Sequence, residues 1–205
     1  KVLHAAAGRS LLGHTLSAAL GAGAERLAVV VGPGREDVAE EARRYAVDAA
    51  IFFQRERLGT AHAVLTARDA LTNPTDDLLI AFADTPLVKP ETLARMREAL
   101  AEGVDVVVLG FQAENPFGYG RLVVKDGQLT AIREEKDATD DERAIGFCNA
   151  GLMAISGKSA LSLIEAVDNN NAKGEYYLTD VVEIARKQGL RAVALEASEA
   201  EVQGV

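Results

Sequence analysis

Short apolar runs alternate with amphipathic stretches along the first half of the chain. The runs are rich in valine, leucine, isoleucine and phenylalanine, as buried strands are, and they lie at residues 26–32, 48–54, 78–84 and 104–112. In the stretch 90–103, by contrast, Leu93, Met96 and Leu100 recur at the spacing of one helical face. Alternating strands and helices, with strands that are apolar throughout, predict a largely parallel sheet covered by helices on both faces.

The pattern changes in the second half of the chain. Two runs of alternating polarity meet at Asp126-Gly127, a dipeptide typical of two-residue hairpin turns. The remaining predicted elements are a strand, two helices and a last strand, at 144–156, about 157–167, from about Thr179 and near 190–196. The sequence therefore predicts an α/β fold with a mostly parallel sheet and an antiparallel β-hairpin insertion, built as a single domain over residues 1–205.

Composition and charge narrow the classes of function. The chain has 22 Lys and Arg residues against 31 Asp and Glu residues, a net charge of −9, and no basic stripe, which argues against nucleic-acid binding. A polyanionic ligand would therefore need a metal ion. No apolar run reaches the roughly 20 residues of a membrane span, and a signal peptide core is missing. The single cysteine, Cys148, fits a reducing compartment, so we expect a cytoplasmic protein.

Asp84 ends an apolar run and is followed directly by Thr85-Pro86. A buried carboxylate costs several kcal/mol of desolvation unless something pairs with it. Ligands of open α/β sheets bind beyond the carboxyl ends of the strands, where such an acid can hold a cation. The alternative is that Asp84 caps the next helix, and the residues alone leave both interpretations open.

A second candidate site lies between a strand and a helix. Gln54 follows the predicted strand 48–54, and Gly59-Thr60 stand immediately before the apolar helical run 61–71. Glycine allows a backbone to approach a planar ligand, and Thr60 can cap the helix. The alternative is an ordinary capped helix. His62, in the first helical turn, is interpreted as a packing residue.

Polar residues also occur at positions where a purely structural strand or loop would not require them. The segment 169–180 joins three asparagines to two tyrosines, Asn149 interrupts an apolar strand, and Glu134 begins an acidic group at the end of the predicted hairpin. Cys148 has no evident base partner and is interpreted as a small core residue. The chain has no phosphate-binding GKS or GKT loop and only part of a dinucleotide fingerprint, which disfavours P-loop ATPases and classical NAD enzymes.

Several of these segments, taken in order, carry a family resemblance. The segments KVLH, QRERLGTAHA, FADTPL, NPFGYGRLV, EEKDAT, FCNAGLMA and NNNAKGEYYLTD closely resemble the uridylyltransferase domain of bacterial N-acetylglucosamine-1-phosphate uridyltransferases. The resemblance covers essentially the whole chain. It implies a Rossmann-like nucleotidyltransferase fold and the transfer of UMP from UTP to N-acetylglucosamine 1-phosphate, with Mg²⁺ as cofactor and pyrophosphate as the second product.

The resemblance also implies roles for individual residues. Gln54, Gly59 and Thr60 match the contacts to uracil. Asp84 matches the Mg²⁺ ligand and Lys1 matches a lysine that faces phosphate, which makes these two the catalytic candidates. The positions that match contacts to the sugar and its phosphate are Gly120, Glu134, Asn149, Tyr177 and Thr179.

The chain departs from the family pattern at its ends. The glycine-rich nucleotide loop and catalytic arginine of the family precede the lysine matched by Lys1, and a second metal ligand would follow Val205. Phe82 replaces a tyrosine often found two residues before the metal-binding acid. The hexapeptide-repeat domain of full-length members is also absent, so a homotrimer is expected only of a full-length parent. A related nucleotidyltransferase with another nucleotide or sugar, and an inactive binding module of the same fold, remain alternatives.

Overall fold

The computed structural model describes residues 1–72 and 75–204. Its strands are β1 (Ala5–Ala6), β2 (Arg9–Ser10), β3 (Ala28–Val31), β4 (Ala50–Phe53), β5 (Asp77–Ile80), β6 (Val106–Gln112), β7 (Arg121–Lys125), β8 (Gln128–Arg133), β9 (Phe147–Ser156) and β10 (Ala192–Glu196). Its α-helices are α1 (Leu11–Gly21), α2 (Glu36–Tyr45), α3 (Thr60–Thr66), α4 (Arg68–Leu71), α5 (Pro90–Ala101), α6 (Asp140–Arg143), α7 (Ala160–Glu165), α8 (Val181–Lys187) and α9 (Glu199–Val202). A 3₁₀ helix, Leu178–Asp180, leads into α8. The predicted order of strands and helices is thus confirmed.

Parallel and antiparallel pairing are combined in the sheets. β3 pairs in parallel with β4, and β6 pairs in parallel with β10, as the alternating pattern predicts. The long strand β9 runs antiparallel to both β5 and β6 and lies between them. This makes the six-stranded sheet mixed, because a strand from the second half of the chain is inserted between two strands of the first half.

The predicted hairpin is formed by β7 and β8. Its two turn residues, Asp126 and Gly127, have φ values of 51° and 71°. Positive φ at both central positions is the requirement of the type I′ turn, whose twist matches that of the flanking strands. The dipeptide therefore predicts the hairpin because aspartate and glycine tolerate this backbone.

Both faces of β6 are buried, as the continuous apolar run predicts. Alternate residues point to opposite faces of a strand, so Val106 and Val108 join a core shared with α7 and α8, while Val107 and Leu109 join one shared with α5. Cys148 is fully buried, and burial raises the pKa of its thiol. This confirms its interpretation as a core residue.

The predicted helix over 61–71 is divided into α3 and α4 at Ala67. The hydroxyl of Thr66 donates a 3.0 Å hydrogen bond to the carbonyl of His62, one turn earlier. Bonds of this kind compete with the backbone ladder and bend helices. The interruption is therefore a side-chain effect that apolar periodicity does not report.

A cleft of about 420 Å³ separates β3 from β5. In the described residues β3 pairs only with β4 and β5 only with β9, so each strand turns an unpaired edge toward the cleft. Leu16 of α1 and Ala63 of α3 also line it, which places apolar side chains of two helices along its walls.

Within residues 1–72 and 75–204, no helix has the length and apolar character needed to cross a membrane.

Candidate active site

Gln54 extends the ladder of β4 by one residue, since its N–H donates to the carbonyl of Val31 at 2.8 Å. Its side-chain Nε2 donates to the carbonyl of Gly59 at 3.3 Å and contacts Nδ1 of His62 at 3.0 Å. Both N–H bonds of the amide therefore have protein partners. The amide Oε1 has no partner in the described part of the chain, which leaves it able to accept a hydrogen bond from a ligand.

Gly59 is held against a distant segment of backbone. Its φ is 117°, and a Cβ at this position would lie 2.4 Å from the carbonyl oxygen of Tyr176. On either side, the N–H of Ala61 donates to that carbonyl at 3.0 Å and the N–H of Tyr176 donates to the carbonyl of Leu58 at 2.8 Å. Only glycine fits here, because two backbones touch and the dihedral angle is left-handed.

The capping role expected of Thr60 is wrong. Thr60 is the first helical residue and Gly59 occupies the N-cap position, so the Thr60 hydroxyl is placed one residue too late to cap. Instead, its Oγ1 accepts a hydrogen bond from the N–H of Leu178 at 2.9 Å. Thr60 thereby ties the segment around Gln54 to the segment that carries Tyr177 and Thr179.

Tyr177 and Thr179 flank Leu178, the residue that is bonded to Thr60. The hydroxyl of Thr179 donates to the Glu134 carboxylate at 3.1 Å. Tyr177 is 8% exposed, and its hydroxyl is buried without a hydrogen-bond partner in the described residues. Burial, with the charges of Asp137 and Glu134, raises the pKa of Tyr177 to about 12. The group is thus a protonated donor at neutral pH, and a buried donor without a protein partner is available to bind a ligand.

Acidic groups dominate this part of the site. Burial, together with the charges of Glu183, Asp168 and Glu134, raises the pKa of Asp180 to about 6, while Arg133 opposes the shift. Carboxylates accept hydrogen bonds from hydroxyl groups and repel anions. The surroundings of Glu134 therefore suit the hydroxyl groups of a sugar better than a phosphate.

Asn149 of β9 lies next to Gly120, the residue that directly precedes β7. The N–H of Asn149 donates to the carbonyl of Gly120 at 2.8 Å, and its side-chain Oδ1 accepts from the N–H of Gly151 at 2.9 Å. A Cβ at Gly120 would lie 3.6 Å from Cβ of Asn149 and from the carbonyl oxygen of Arg133. The two residues therefore form one surface beside Glu134.

Arg121 is a site-supporting residue that the sequence reasoning missed. Its side chain is 2% exposed, pairs with the Glu135 carboxylate at 2.8 Å and donates to the carbonyls of Tyr119 and Arg143. Glu135 also accepts from the N–H of Gly118 at 3.2 Å, and its pKa is lowered, most strongly by the Arg121 hydrogen bond. The sequence feature that could have revealed Arg121 is its position as a charged residue at the start of the apolar strand β7.

Asp84 is neither buried nor at a strand end. β5 ends at Ile80, and a turn follows in which the Thr85 hydroxyl donates to the carbonyl of Phe82 at 3.0 Å. The Asp84 side chain is 44% exposed and lies 3.7 Å from Nζ of Lys1. The capping interpretation is also wrong, because α5 begins at Pro90 with Lys89 as its N-cap.

Asp84 offers a metal ion a single carboxylate. The described part of the chain contains no group of three or more His, Cys, Asp or Glu side chains that could hold a metal. Mg²⁺, however, is usually bound by one or two carboxylates together with water and substrate phosphates. Gly204 brings the end of the chain to this point, since a Cβ there would lie 3.8 Å from the Asp84 carbonyl oxygen. Val205, after which a second ligand was expected, lies outside the described residues.

The candidate residues are connected by successive contacts. Phe82, beside Asp84, packs against Gly151, where a Cβ would lie 3.2 Å from the ring. The N–H of Gly151 donates to the Asn149 side chain, Asn149 lies next to Gly120, and Gly120 lies next to the carbonyl of Arg133 at the end of β8. From there the path continues through the Glu134 and Thr179 pair and the Leu178 and Thr60 pair to Gln54. Lys1 reaches this path through its ion pair with Asp84, and Tyr177 joins it as the sequence neighbour of Leu178.

Comparison with known families and proteins gives consistent matches. Residues 1–183 match the family model of the MobA-like NTP transferase domain. Over 205 residues the chain is 60% identical to the bifunctional protein GlmU of Azorhizobium caulinodans and 62% identical to that of Xanthobacter autotrophicus. It covers 46% of each of these proteins, so it spans about half the length of the curated relatives it matches.

Solved structures show the same fold. A UDP-glucose pyrophosphorylase complexed with UDP-glucose is similar with a TM-score of 0.73 and 16% identity, covering 96% of this chain and 81% of that chain. The apo form of a UDP-glucose pyrophosphorylase gives a TM-score of 0.74 at 14% identity, covering 96% and 82%. Together with the family match, this likeness confirms the predicted nucleotidyltransferase fold.

Proposed function

The chain belongs to the MobA-like NTP transferase domain family, and from this membership we propose that it transfers UMP from UTP to N-acetylglucosamine 1-phosphate, with release of pyrophosphate. The resemblance of its motifs to bacterial uridylyltransferases and its identity with two GlmU proteins over all 205 residues support this substrate pair. The observation that carries the proposal is the continuous path of contacts from Asp84 to Gln54. The path joins residues that lie far apart in sequence and that are proposed to contact the metal, the sugar and the base.

The proposed roles follow from the chemistry of each group. Gln54 and the backbone of Gly59 and Thr60 face the uracil, while Lys1 faces phosphate. The sugar and its phosphate are bound by the surface made of Gly120, Glu134, Asn149, Tyr177 and Thr179. In this arrangement the protein mainly positions the sugar phosphate for in-line attack on the α-phosphorus of UTP.

Asp84 is the residue that would hold Mg²⁺. When bound, the ion supplies positive charge that stabilises the transferring phosphate. The carboxylate is accessible, caps no helix and has Lys1 as its ion-pair partner. A metal is also consistent with a net charge of −9, because local cations rather than the whole chain must neutralise the phosphates.

We further propose that the natural full-length protein adds a strand to this domain. The cleft between β3 and β5 has an unpaired strand edge on each side and apolar helix residues along its walls, which suits an extended apolar segment. A strand placed there, followed by a glycine-rich loop, would deliver that loop to the phosphates beside Lys1. A cytoplasmic location and a trimer built by a separate repeat domain complete the proposal for the full-length protein.

The test is a panel of nucleotides and sugar phosphates assayed with the natural full-length protein and Mg²⁺. With N-acetylglucosamine 1-phosphate, we expect kcat/KM for UTP to exceed that for ATP by about 100-fold or more, because a site that hydrogen-bonds its substrate rejects analogues strongly. Pyrophosphate release is the measurement. Equal efficiency with UTP and ATP would contradict the assignment of the uracil-side residues.

A further inference from the structure

The amide of Gln54 is fixed in one orientation by two acceptors. The carbonyl of Gly59 can only accept a hydrogen bond, so the amide atom that faces it at 3.3 Å must be the NH₂ nitrogen. The same nitrogen lies 3.0 Å from Nδ1 of His62, which places the second N–H toward that ring nitrogen. With both donors committed, Gln54 offers a ligand only its oxygen.

These two acceptors are themselves held in place. Gly59 is pressed against the backbone of Tyr176, where no side chain fits, so its carbonyl has little freedom to turn. His62 lies in the first turn of α3, and its own carbonyl accepts from the Thr66 hydroxyl at 3.0 Å. A ring nitrogen that accepts from Gln54 must be unprotonated, which places the ring proton of neutral His62 on Nε2.

On the basis of the proposed function, we propose that His62 is a positioning residue that sets base specificity by holding Gln54 as an acceptor. Uracil carries an N–H donor at N3, whereas the N3 of cytosine is an acceptor. An oxygen fixed in front of this position binds uracil and is repelled by cytosine. The site therefore selects uridine nucleotides over cytidine nucleotides through a residue that does not touch the base.

Three histidine variants test this in the natural full-length protein. His62→Leu keeps the bulk of the side chain and removes the acceptor, whereas His62→Asn retains an acceptor near the position of Nδ1. His14→Leu is the control, at a partly buried histidine whose ring is bonded to the carbonyl of Ala6 at 2.8 Å. The measured quantity is the ratio of kcat/KM for UTP to kcat/KM for CTP. Loss of one hydrogen bond to Gln54 is expected to lower this ratio about tenfold in His62→Leu. The remaining discrimination is retained because the Gly59 carbonyl still orients the Gln54 amide.

The Asn variant and the control separate positioning from general damage. We expect the ratio to stay within about twofold of the wild-type value in His62→Asn and in His14→Leu. An unchanged ratio in His62→Leu, or an equal fall in the Asn and Leu variants, would overturn the proposal. A fall in both kcat/KM values with a constant ratio would also overturn it, since that is the result of a purely structural role.

A second measurement does not depend on catalysis. The ¹⁵N chemical shifts of His62 should report a neutral ring protonated at Nε2, and the side-chain amide protons of Gln54 should exchange more slowly than in His62→Leu. If the full-length protein uses neither nucleotide, the proposed function fails while these spectra still decide whether His62 holds Gln54. A ring protonated at Nδ1 would overturn the inference even in an active enzyme.

Discussion

At the scale of the residue, the polar side chains of this site are committed to protein partners before a ligand binds. Gln54 is held by Gly59 and His62, and the Thr179 hydroxyl is held by Glu134. Groups fixed in this way lose little conformational freedom on binding, which is how a site gains specificity without added contacts. Tyr177 differs, because its buried hydroxyl has no partner in the described residues.

Asp84 is the residue at which charge can be separated from shape. Asp84→Asn preserves the size of the side chain and, because Asp84 caps no helix, no capping bond is at stake. An amide oxygen is a weaker Mg²⁺ ligand, so we expect kcat to fall by roughly 100- to 1000-fold, equivalent to about 3–4 kcal/mol. Turnover of the full-length protein across a Mg²⁺ titration is the measurement.

A second aspartate provides the comparison for this variant. Asp77 pairs with Arg97 at 2.9 Å and is not part of the proposed Mg²⁺ site. Asp77→Asn should lower the melting temperature and leave the Mg²⁺ dependence of turnover unchanged. Asp84→Asn should leave the melting temperature unchanged and alter the Mg²⁺ dependence of turnover. Full activity of Asp84→Asn at ordinary Mg²⁺ concentration would remove Asp84 from the metal site.

At the scale of the element, the two ends of the β7 and β8 hairpin are joined by an ion pair in which the arginine is buried and the glutamate is partly exposed. Arg121 at the start of β7 reaches Glu135, just beyond β8, and also the carbonyl of Tyr119 in the loop before β7. Gly120 lies in that loop, and Glu134 lies immediately before Glu135. The pair therefore joins the two chain segments that carry these two candidate residues.

Arg121→Met is expected to destabilise the protein by about 3 kcal/mol, because removal of one partner leaves the other charge without its main contact. Urea unfolding is the measurement. The double variant Arg121→Met/Glu135→Leu should recover a large part of this loss, since replacing both partners by apolar groups is often close to neutral.

Arg143 is the matched control for Arg121. Its guanidinium also approaches Glu135, at 3.9 Å, but the side chain is 41% exposed. Solvent-exposed pairs of this kind contribute about 0–1 kcal/mol, so Arg143→Met should change stability little. Equal effects of the two arginine variants would show that burial of Arg121 does not matter to the hairpin.

At the scale of the whole molecule, the strands form sheets that do not join in the described residues. β3 and β4 form one parallel pair, and β5 belongs to the six-stranded sheet across the cleft. Side chains of α1 and of α3 line the cleft, so both helices pack over a space that neither sheet fills. Unpaired strand edges beside apolar walls are normally covered in native proteins.

Hydrogen exchange of the full-length protein tests whether a strand fills this cleft. We expect the amides of β3 and β5 to be protected to within about tenfold of those of β6, because strands paired on both sides open only with the core. β6 is paired on both sides, with β9 and β10, and β8 is paired only with β7 in the described residues, so the protein contains its own two references. Exchange in β3 and β5 as fast as in β8 would contradict the added strand.

Local patterns in the sequence were sufficient for most of the elements. Leu93 and Met96 lie on the buried face of α5, and Asp126-Gly127 forms the turn of the hairpin, because both features depend on residues only a few positions apart. The segments that carry the site were also recognisable from the sequence, as was the α/β class. The roles of the predicted site residues stay predictions until the experiments above are done.

Only the tertiary structure decided which partners these residues have. The hydroxyl of Thr60 binds Leu178 rather than capping its own helix, and Asp84 lies in an open loop after a strand that ends early. The insertion of β9 between β5 and β6 and the burial of Arg121 likewise arise from contacts between segments far apart in the chain. Periodicity and turn chemistry describe the energetics of neighbouring residues, whereas these contacts are chosen by the packing of the whole domain.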